Sequence, residues 1–300
     1  MEIVSVIIPT YNRVDLLKKA LDSVLNQNYQ HIEVVIVDDA STDNTLNFCN
    51  SLDDVRISYH RFDSSKGGNY ARNFGVQKSR GSIIAFLDDD DEWLPLKLTE
   101  QLRILQIQSQ VGLVYTGASV VNLEHDLKYN IVPKERGDLS RSILTYNHIG
   151  TTSSVMMRRS IFEEAGMFDI EMPQLQDYDL WIRVCQICNI EFIDRPLINY
   201  YVHTNGTQIT TSVDKNKQSI EMIDKKYADL ISTLSEKEQK KRFCQRYNAM
   251  GKRKLKNNET TEAIKFFIRS FMSYPNLLSI KFLVASFLPY KFLLAIKRRF

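Results

Sequence analysis

Four consecutive carboxylates, Asp88 to Asp91, directly follow the apolar run Ile83 to Leu87. Like charges ~4 Å apart repel by about 1 kcal/mol in water, and by more under partial burial. A hard divalent cation, Mn²⁺ or Mg²⁺, resolves that repulsion, because it takes oxygen ligands and joins one or two carboxylates to substrate phosphates. An isolated acidic run is usually a solvated turn; directly after a buried strand it reads as a phosphate site reached through a metal. The segment KGGNYARNFG supplies Gly67, Gly68 and Gly75 with Lys66 and Arg72, a loop entering a helix whose amides and guanidinium suit a phosphate oxyanion. Tyr11 offers a flat face for a base, and Asp39 an acceptor for a base N–H, which together suit a nucleotide.

These residues need strands to carry them. Val4 to Ile8, Glu33 to Val37, Ile57 to Arg61 and Ile83 to Leu87 read as strands, alternating with amphipathic or glycine-marked segments. VDLLKKALDSVLNQ places Leu16, Leu17, Ala20, Leu21, Val24 and Leu25 on one helical face. Such alternation predicts a mostly parallel α/β sheet, Rossmann-like, with ligands outside the carboxyl ends of its strands. VVIV and IIAFL are apolar throughout, as strands covered on both faces should be. No GxGxxG follows the first strand, which argues against a dinucleotide enzyme.

Beyond residue 95 the pattern is mixed. Pro95 to Gln108 reads as a helix, Gly112 to Val121 as a strand, Asp177 to Cys188 as a helix, and Glu191 to Asp194 and Leu197 to Val202 as two strands. From about Asn216 strand signals vanish, and helices broken at Pro275 and Pro289 follow. The expected organisation is a catalytic domain over residues 1–210 and a helical C-terminal region over 211–300. Cys185 and Cys188, one helical turn apart, lack the second pair a structural zinc site needs and read as buried small apolar residues.

At 300 residues, 43% hydrophobic and 25% charged, the chain has a globular composition. The opening apolar run, Ile3 to Ile8, ends at Pro9 and is too short for a signal-peptide core, so the expected location is cytoplasmic. The net charge of +3 hides an asymmetry: residues 1–262 carry −4, from 32 cations and 36 anions. After Glu262 there is no acid, while Lys265, Arg269, Lys281, Lys291, Lys297, Arg298 and Arg299 follow. In the last stretch the longest uncharged part, Phe282 to Tyr290, has 9 residues, well short of the ~20 a spanning helix needs. Two readings fit it: a helix lying in the interface of an anionic membrane, or a terminal helix docked on the helical region. Nucleic acid is not an expected partner.

VSVIIPTYNR, VVIVDDASTDNT, GGNYARNFG, FLDDDDEWLP and QDYDLWIR, in that order over roughly the first 205 residues, resemble the family 2 glycosyltransferases of GT-A fold. The resemblance implies an inverting transfer of a sugar from a nucleotide sugar, usually UDP-linked, to an acceptor hydroxyl. It assigns Thr10, Tyr11 and Asp39 to the nucleobase and Arg72 to the base or diphosphate. Asp88 and Asp90 match the family's DxD motif, with Asp90 on the metal and Asp88 on the ribose or on metal-bound water; Asp89 joins the donor site. Asp177 matches the general base, with Gln176 standing where the family usually has Glu. Trp93 either stacks on sugar or fills core, and Trp181 is an acceptor-side candidate on the same helix as Asp177. Asp179 and Arg183 form an i,i+4 pair that braces that helix. His203 is a candidate ligand of the metal or diphosphate, or a structural histidine.

Two rival classes are weaker. A haloacid-dehalogenase-like, Mg²⁺-dependent phosphatase also places an Asp pair after an apolar strand, but it leaves Tyr11, Asp39 and Asp177 without work. An inactive nucleotide-sugar-binding protein is favoured only by Gln176. The sequence therefore predicts a metal-dependent glycosyltransferase taking a UDP-sugar and a glycan or lipid-linked glycan. Its expected place is the inner face of the cell membrane, in surface-polysaccharide assembly.

Overall fold

The structure, a computed structural model, describes residues 2–123, 126–202, 213–257 and 259–287. Strands β1 (Val4–Thr10), β2 (Ile32–Asp38), β3 (Ile57–Arg61) and β4 (Ile83–Phe86) pair in parallel in the order β3-β2-β1-β4. Every residue of β1 and β4 is buried, which is why their runs lack the alternation of a half-exposed strand. The period-2 geometry sends Ile7, Val35 and Val37 into one core and Val6, Ile8, Val34 and Ile36 into the other.

Helix α1 (Val14–Leu25) buries Leu17, Ala20, Leu21 and Val24, four of the six positions its periodicity marks. After α2 (Thr45–Asn50) comes α3 (Gly68–Lys78), which lies close on the sheet because Gly75 has no side chain. A Cβ there would stand 2.5 Å from Ile7 Cγ2. This contact sets the height at which Arg72, one turn earlier, meets the strand ends.

The sheet continues through β8 (Val155–Arg158), antiparallel to both β4 and β6 (Val111–Asn122), then β9 (Asn189–Tyr201) and the short β5 (Glu92–Trp93); β7 (Leu127–Ile131) pairs with β6. β9 corrects the expected pair of strands at Glu191 to Asp194 and Leu197 to Val202: it is one strand, parallel to β6. The Arg195-Pro196 interruption shows only as register shifts around Gly117, where β6 passes within 3.0 Å of the Arg195 backbone for an added Cβ. The helix predicted over Asp177 to Cys188 is α6 (Gln176–Val184), ending a turn early. Helices α4 (Lys97–Ile107) and α5 (Arg159–Glu164) cover the sheet.

The C-terminal helices divide in their packing. From α7 (Val213–Lys226) and the segment around α8 (Ala228–Ser232), Ile223, Tyr227 and Leu234 enter the same core as Trp181 and Phe168. α9 (Glu236–Lys256), opened by a Ser235–Glu238 capping box, packs with α10 (Thr260–Ser273) and α11 (Leu277–Ser286) around Leu255, Ala263 and Phe267. Pro275 falls in the α10–α11 connection, as expected. His203, Pro289 and the basic residues from Lys291 onward lie outside the described residues.

Candidate active site

The loops after β1, β2 and β4 meet at the carboxyl edge of the sheet, the usual ligand side of such a fold. Asn12, in the left-handed region at φ 53°, ties the first two together: its side-chain oxygen accepts from the Thr42 amide at 2.6 Å, and its own amide donates to Ser41 Oγ at 2.9 Å. Beside it the Tyr11 ring stands 50% exposed. Ala40 is also left-handed, φ 67°, so backbone strain collects at this edge, as it does at functional sites.

Asp39 is buried, and its carboxylate accepts from Ser65 Oγ at 2.6 Å, the Lys66 amide at 2.6 Å and the Gly67 amide at 2.9 Å. It thereby fixes the glycine-rich entry of α3, where Gly67 takes φ 88°. Arg72 is buried one turn on and reaches the Asp88 carboxylate. Asp88 also accepts from Thr152 Oγ1 at 3.1 Å, and its amide donates to Ser153 Oγ at 3.1 Å.

Asp89 points back under the first loop. It accepts from Thr10 Oγ1 at 2.8 Å and from Arg13 at 3.0 Å, and the same guanidinium nitrogen reaches Asp90 at 3.1 Å. Burial outweighs these partners and lifts the Asp89 carboxyl to about 6. Asp91 is fully enclosed: burial, then the charges of Asp90 and Asp88, push its carboxyl well above the ordinary range. Its Oδ1 accepts from the Tyr201 amide at 3.2 Å, whereas Oδ2 has no hydrogen-bond partner.

The run thus holds four carboxylates against the two guanidinium groups of Arg13 and Arg72, with one buried oxygen orphaned. That donor set fits a hard divalent cation, which prefers carboxylate oxygen. Among the described residues no three His, Cys, Asp or Glu side chains already converge as a finished cage.

Asp177 faces this cluster from the start of α6. Leu175, at the N-cap of α6, is left-handed, φ 57°. Asp177 Oδ1 accepts from the Tyr178 amide at 2.8 Å. Burial raises its pKa, that amide lowers it, the Asp88 charge raises it and Arg72 lowers it, leaving it at about 6. Tyr200, near the end of β9, has its phenol pushed up by burial and then by Asp91, Asp90, Asp88 and Asp177 together.

Two expected acceptor-side residues are corrected. Trp93 is 3% exposed and Trp181 fully buried, so neither ring is presented to a sugar. Trp93 packs in the core, donates from Nε1 to the Ser153 carbonyl at 2.8 Å, and has the buried Lys97 Nζ 4.0 Å from its ring centre. Trp181 donates to the Gly150 carbonyl at 3.1 Å. Both rings hold backbone that borders the site. Arg13, Thr152 and Ser153 were not foreseen. Arg13 closes the first quoted motif, and the parallel pairing of β1 with β4 puts it opposite the acidic run. Nothing local marks Thr152 and Ser153, which lie in the short 3₁₀ turn Thr152–Ser154 just before β8.

A parallel β3-β2-β1-β4 half, extended by mixed strands and carrying an acidic turn after β4, defines a GT-A glycosyltransferase architecture. Residues 5–166 match the family described as Glycosyl transferase family 2, and the chain belongs to that family. It is 31% identical over 215 residues to an uncharacterised glycosyltransferase of Rickettsia typhi, covering 69% of this chain and 66% of that protein. Another from Rickettsia felis is 28% identical over 293 residues, covering 89% and 48%. The matches thus span less than two thirds of the length of these relatives.

Escherichia coli WfaP, named UDP-Glc:alpha-D-GlcNAc-diphosphoundecaprenol beta-1,3-glucosyltransferase, is 31% identical over 187 residues, 61% of this chain and 70% of that one. Among solved structures, S. aureus TarS 1-349 superposes with a TM-score of 0.61 at 18% identity, covering 99% and 88% of the two chains. The Pyrobaculum calidifontis mannosyltransferase PcManGT, in complex with GDP-Man and Mn²⁺, gives 0.62 at 17% identity over 98% and 83%. At these identities the likeness is one of fold.

Proposed function

We propose that this chain is an inverting, divalent-metal-dependent glycosyltransferase. It moves a sugar from a UDP-sugar to a hydroxyl of a lipid-linked glycan at the inner face of the cell membrane, during assembly of an O-antigen, capsule or exopolysaccharide. The observation that carries the reading is the meeting, at the carboxyl ends of β1, β2 and β4, of buried Asp39, of Arg72 on the Asp88 carboxylate and of the acidic run Asp88 to Asp91, with Asp177 near enough for the charges of Asp88 and Arg72 to act on it. An inverting reaction needs a carboxylate on the face of the sugar opposite the leaving nucleotide. The names of WfaP, with its UDP-Glc donor and diphosphoundecaprenol-linked acceptor, and of TarS bound to UDP-GlcNAc support the choice of donor and acceptor class.

In this reading Asp177 takes the proton of the acceptor hydroxyl as that oxygen attacks the anomeric carbon, and the bond to the diphosphate oxygen breaks on the far side. Tyr11 stacks on the uracil, and Asp39 accepts its N3 hydrogen. For that, Asp39 shares oxygens that the Ser65–Gly67 turn now uses. The Thr10 hydroxyl, which donates to Asp89, acts through the acidic run. Arg72 and the α3 amides bind diphosphate. Asp90 would hold the cation, with Asp88 and the orphaned Asp91 oxygen beside it and His203 as a further ligand. The cation would supply charge stabilisation to the departing diphosphate.

Calorimetric titration with UDP, GDP, dTDP and AMP, with and without Mn²⁺, tests the donor half. Tight, Mn²⁺-dependent binding of UDP alone is expected. Binding of none of them would overturn the reading, and selective GDP binding would replace its donor.

A further inference from the structure

Helix α11, LLSIKFLVAS, packs Phe282 and Leu283 against Leu255, Ala263 and Phe267 and buries Ser279 and Ser286, yet leaves most of its large apolar residues in solvent. Leu277 is 77% exposed, Val284 62% and the following Phe287 71%, with Leu278 and Ile280 also exposed. The buried side is fully engaged: Ser279 Oγ lies 2.9 Å from Ser270 Oγ and 3.4 Å from Cys244 Sγ, and its amide donates to Asn276 at 2.9 Å. On the neighbouring α10, Ile268, Phe271 and Met272 are exposed as well. A surface helix in water normally buries its large apolar residues, and large apolar side chains exposed together on adjoining helices mark an interaction surface.

The charges around the patch select its partner. Lys265, Arg269 and Lys281 are exposed on the same two helices. No acid follows Glu262, and the sequence past the described residues adds Lys291, Lys297, Arg298 and Arg299. A second copy docking face to face would bring these cations against their own images. Anionic headgroups around an acyl interior match both features.

We infer that the outward face of α10 and α11 enters the interface of an anionic phospholipid bilayer, with the serine face of α11 holding it to α9. Among the described residues no helix is long and apolar enough to cross a membrane; this face would lie in the interface rather than span it. The inference deepens the lipid-linked acceptor of the proposed function and rests on it only there, because it is read without any transfer reaction.

The test is flotation of the full chain with vesicles of phosphatidylcholine alone, or containing about one third phosphatidylglycerol. The double substitution Leu277→Asp with Val284→Asp is compared, both sites being exposed enough to spare the fold. The wild type should bind the anionic vesicles at least tenfold better than the neutral ones and lose binding at high salt. The double variant should lose about tenfold or more while its UDP affinity stays unchanged. Equal binding of variant and wild type, or no wild-type binding to anionic vesicles, overturns the inference and leaves the donor-site reading standing. A dimer in light scattering that the double variant dissolves assigns the face to a second copy and overturns it as well.

Discussion

The phenolic hydroxyl of Tyr227 donates to the buried Asp179 carboxylate at 2.7 Å, joining the helical C-terminal region to the helix that carries Asp177. Lys226 reaches the same carboxylate at 2.9 Å and Asp169 at 2.7 Å, and Arg183 completes the set at 2.7 Å. The Gln174 amide donates to Ser219 Oγ of α7 at 3.0 Å, just before the strained Leu175. Asp179 therefore does more than brace its own helix through Arg183, because it anchors α6 to the following helices two residues from the proposed base.

Tyr227→Phe removes one donor from a buried carboxylate and keeps the ring in the core. The expected cost is about 1–3 kcal/mol of stability. A slackened α6 misplaces Asp177, and displacements of about 1 Å cost up to roughly 100-fold in rate. Steady-state kinetics should show kcat falling more than tenfold, with the affinity for UDP by calorimetry held. Equal losses in both would assign Tyr227 to folding alone.

The pH profile follows from Asp177. With its carboxyl at about 6, the proton-accepting form is lost as pH falls through that value, so kcat/KM should drop tenfold per pH unit on the acid side. A cation beside Asp88 relieves the repulsion on Asp177 and moves this limb to lower pH. The folded chain binds this proton more tightly than the unfolded chain. The protonated carboxyl therefore stabilises the fold fully below about pH 4, and the contribution disappears as pH rises through about 6. Activity and this part of stability should run in opposite directions between those values, which thermal melts alongside the kinetics would show.

Arg13 pairs with Asp89 and Asp90 and so lowers the negative charge of the proposed cation site. In Arg13→Met the Asp89 and Asp90 carboxylates lose their shared partner, and Mn²⁺ binding without nucleotide should tighten. A unit charge at ~4 Å is worth about 1 kcal/mol in water, or roughly fivefold. Asp90→Ala should weaken the same binding. Calorimetry with MnCl₂ reads both, and unchanged affinity in both variants would remove the cation from this turn.

Much of the site was legible because its residues follow strands in sequence as well as in space. Tyr11, Asp39 and Asp88 each come just after an apolar run, so reading strand ends was enough to group them. Arg13 was missed although it is quoted in the first motif, since only the β1–β4 pairing shows which carboxylates it meets. Thr152 and Ser153 reach Asp88 from the 3₁₀ turn that leads into β8, and only the antiparallel pairing of β8 with β4, which no local pattern announces, brings that turn there. Trp93 and Trp181 show the opposite failure: an aromatic beside a functional motif has the same sequence signature whether it faces ligand or core. The amphipathicity of the last helices was visible, but which face of α11 is buried depends on the Ser270–Cys244–Asn276 pocket it meets.

The central claim is that Asp177 is the base of a nucleotide-sugar transfer. Asp177→Asn tests it, assayed for transfer with the UDP-sugar and lipid-linked acceptor that the wild-type chain uses and, in parallel, for UDP binding. UDP affinity with Mn²⁺ should stay within about twofold of wild type while transfer falls at least about 100-fold, the scale of a lost general base. Wild-type transfer in Asp177→Asn would contradict it.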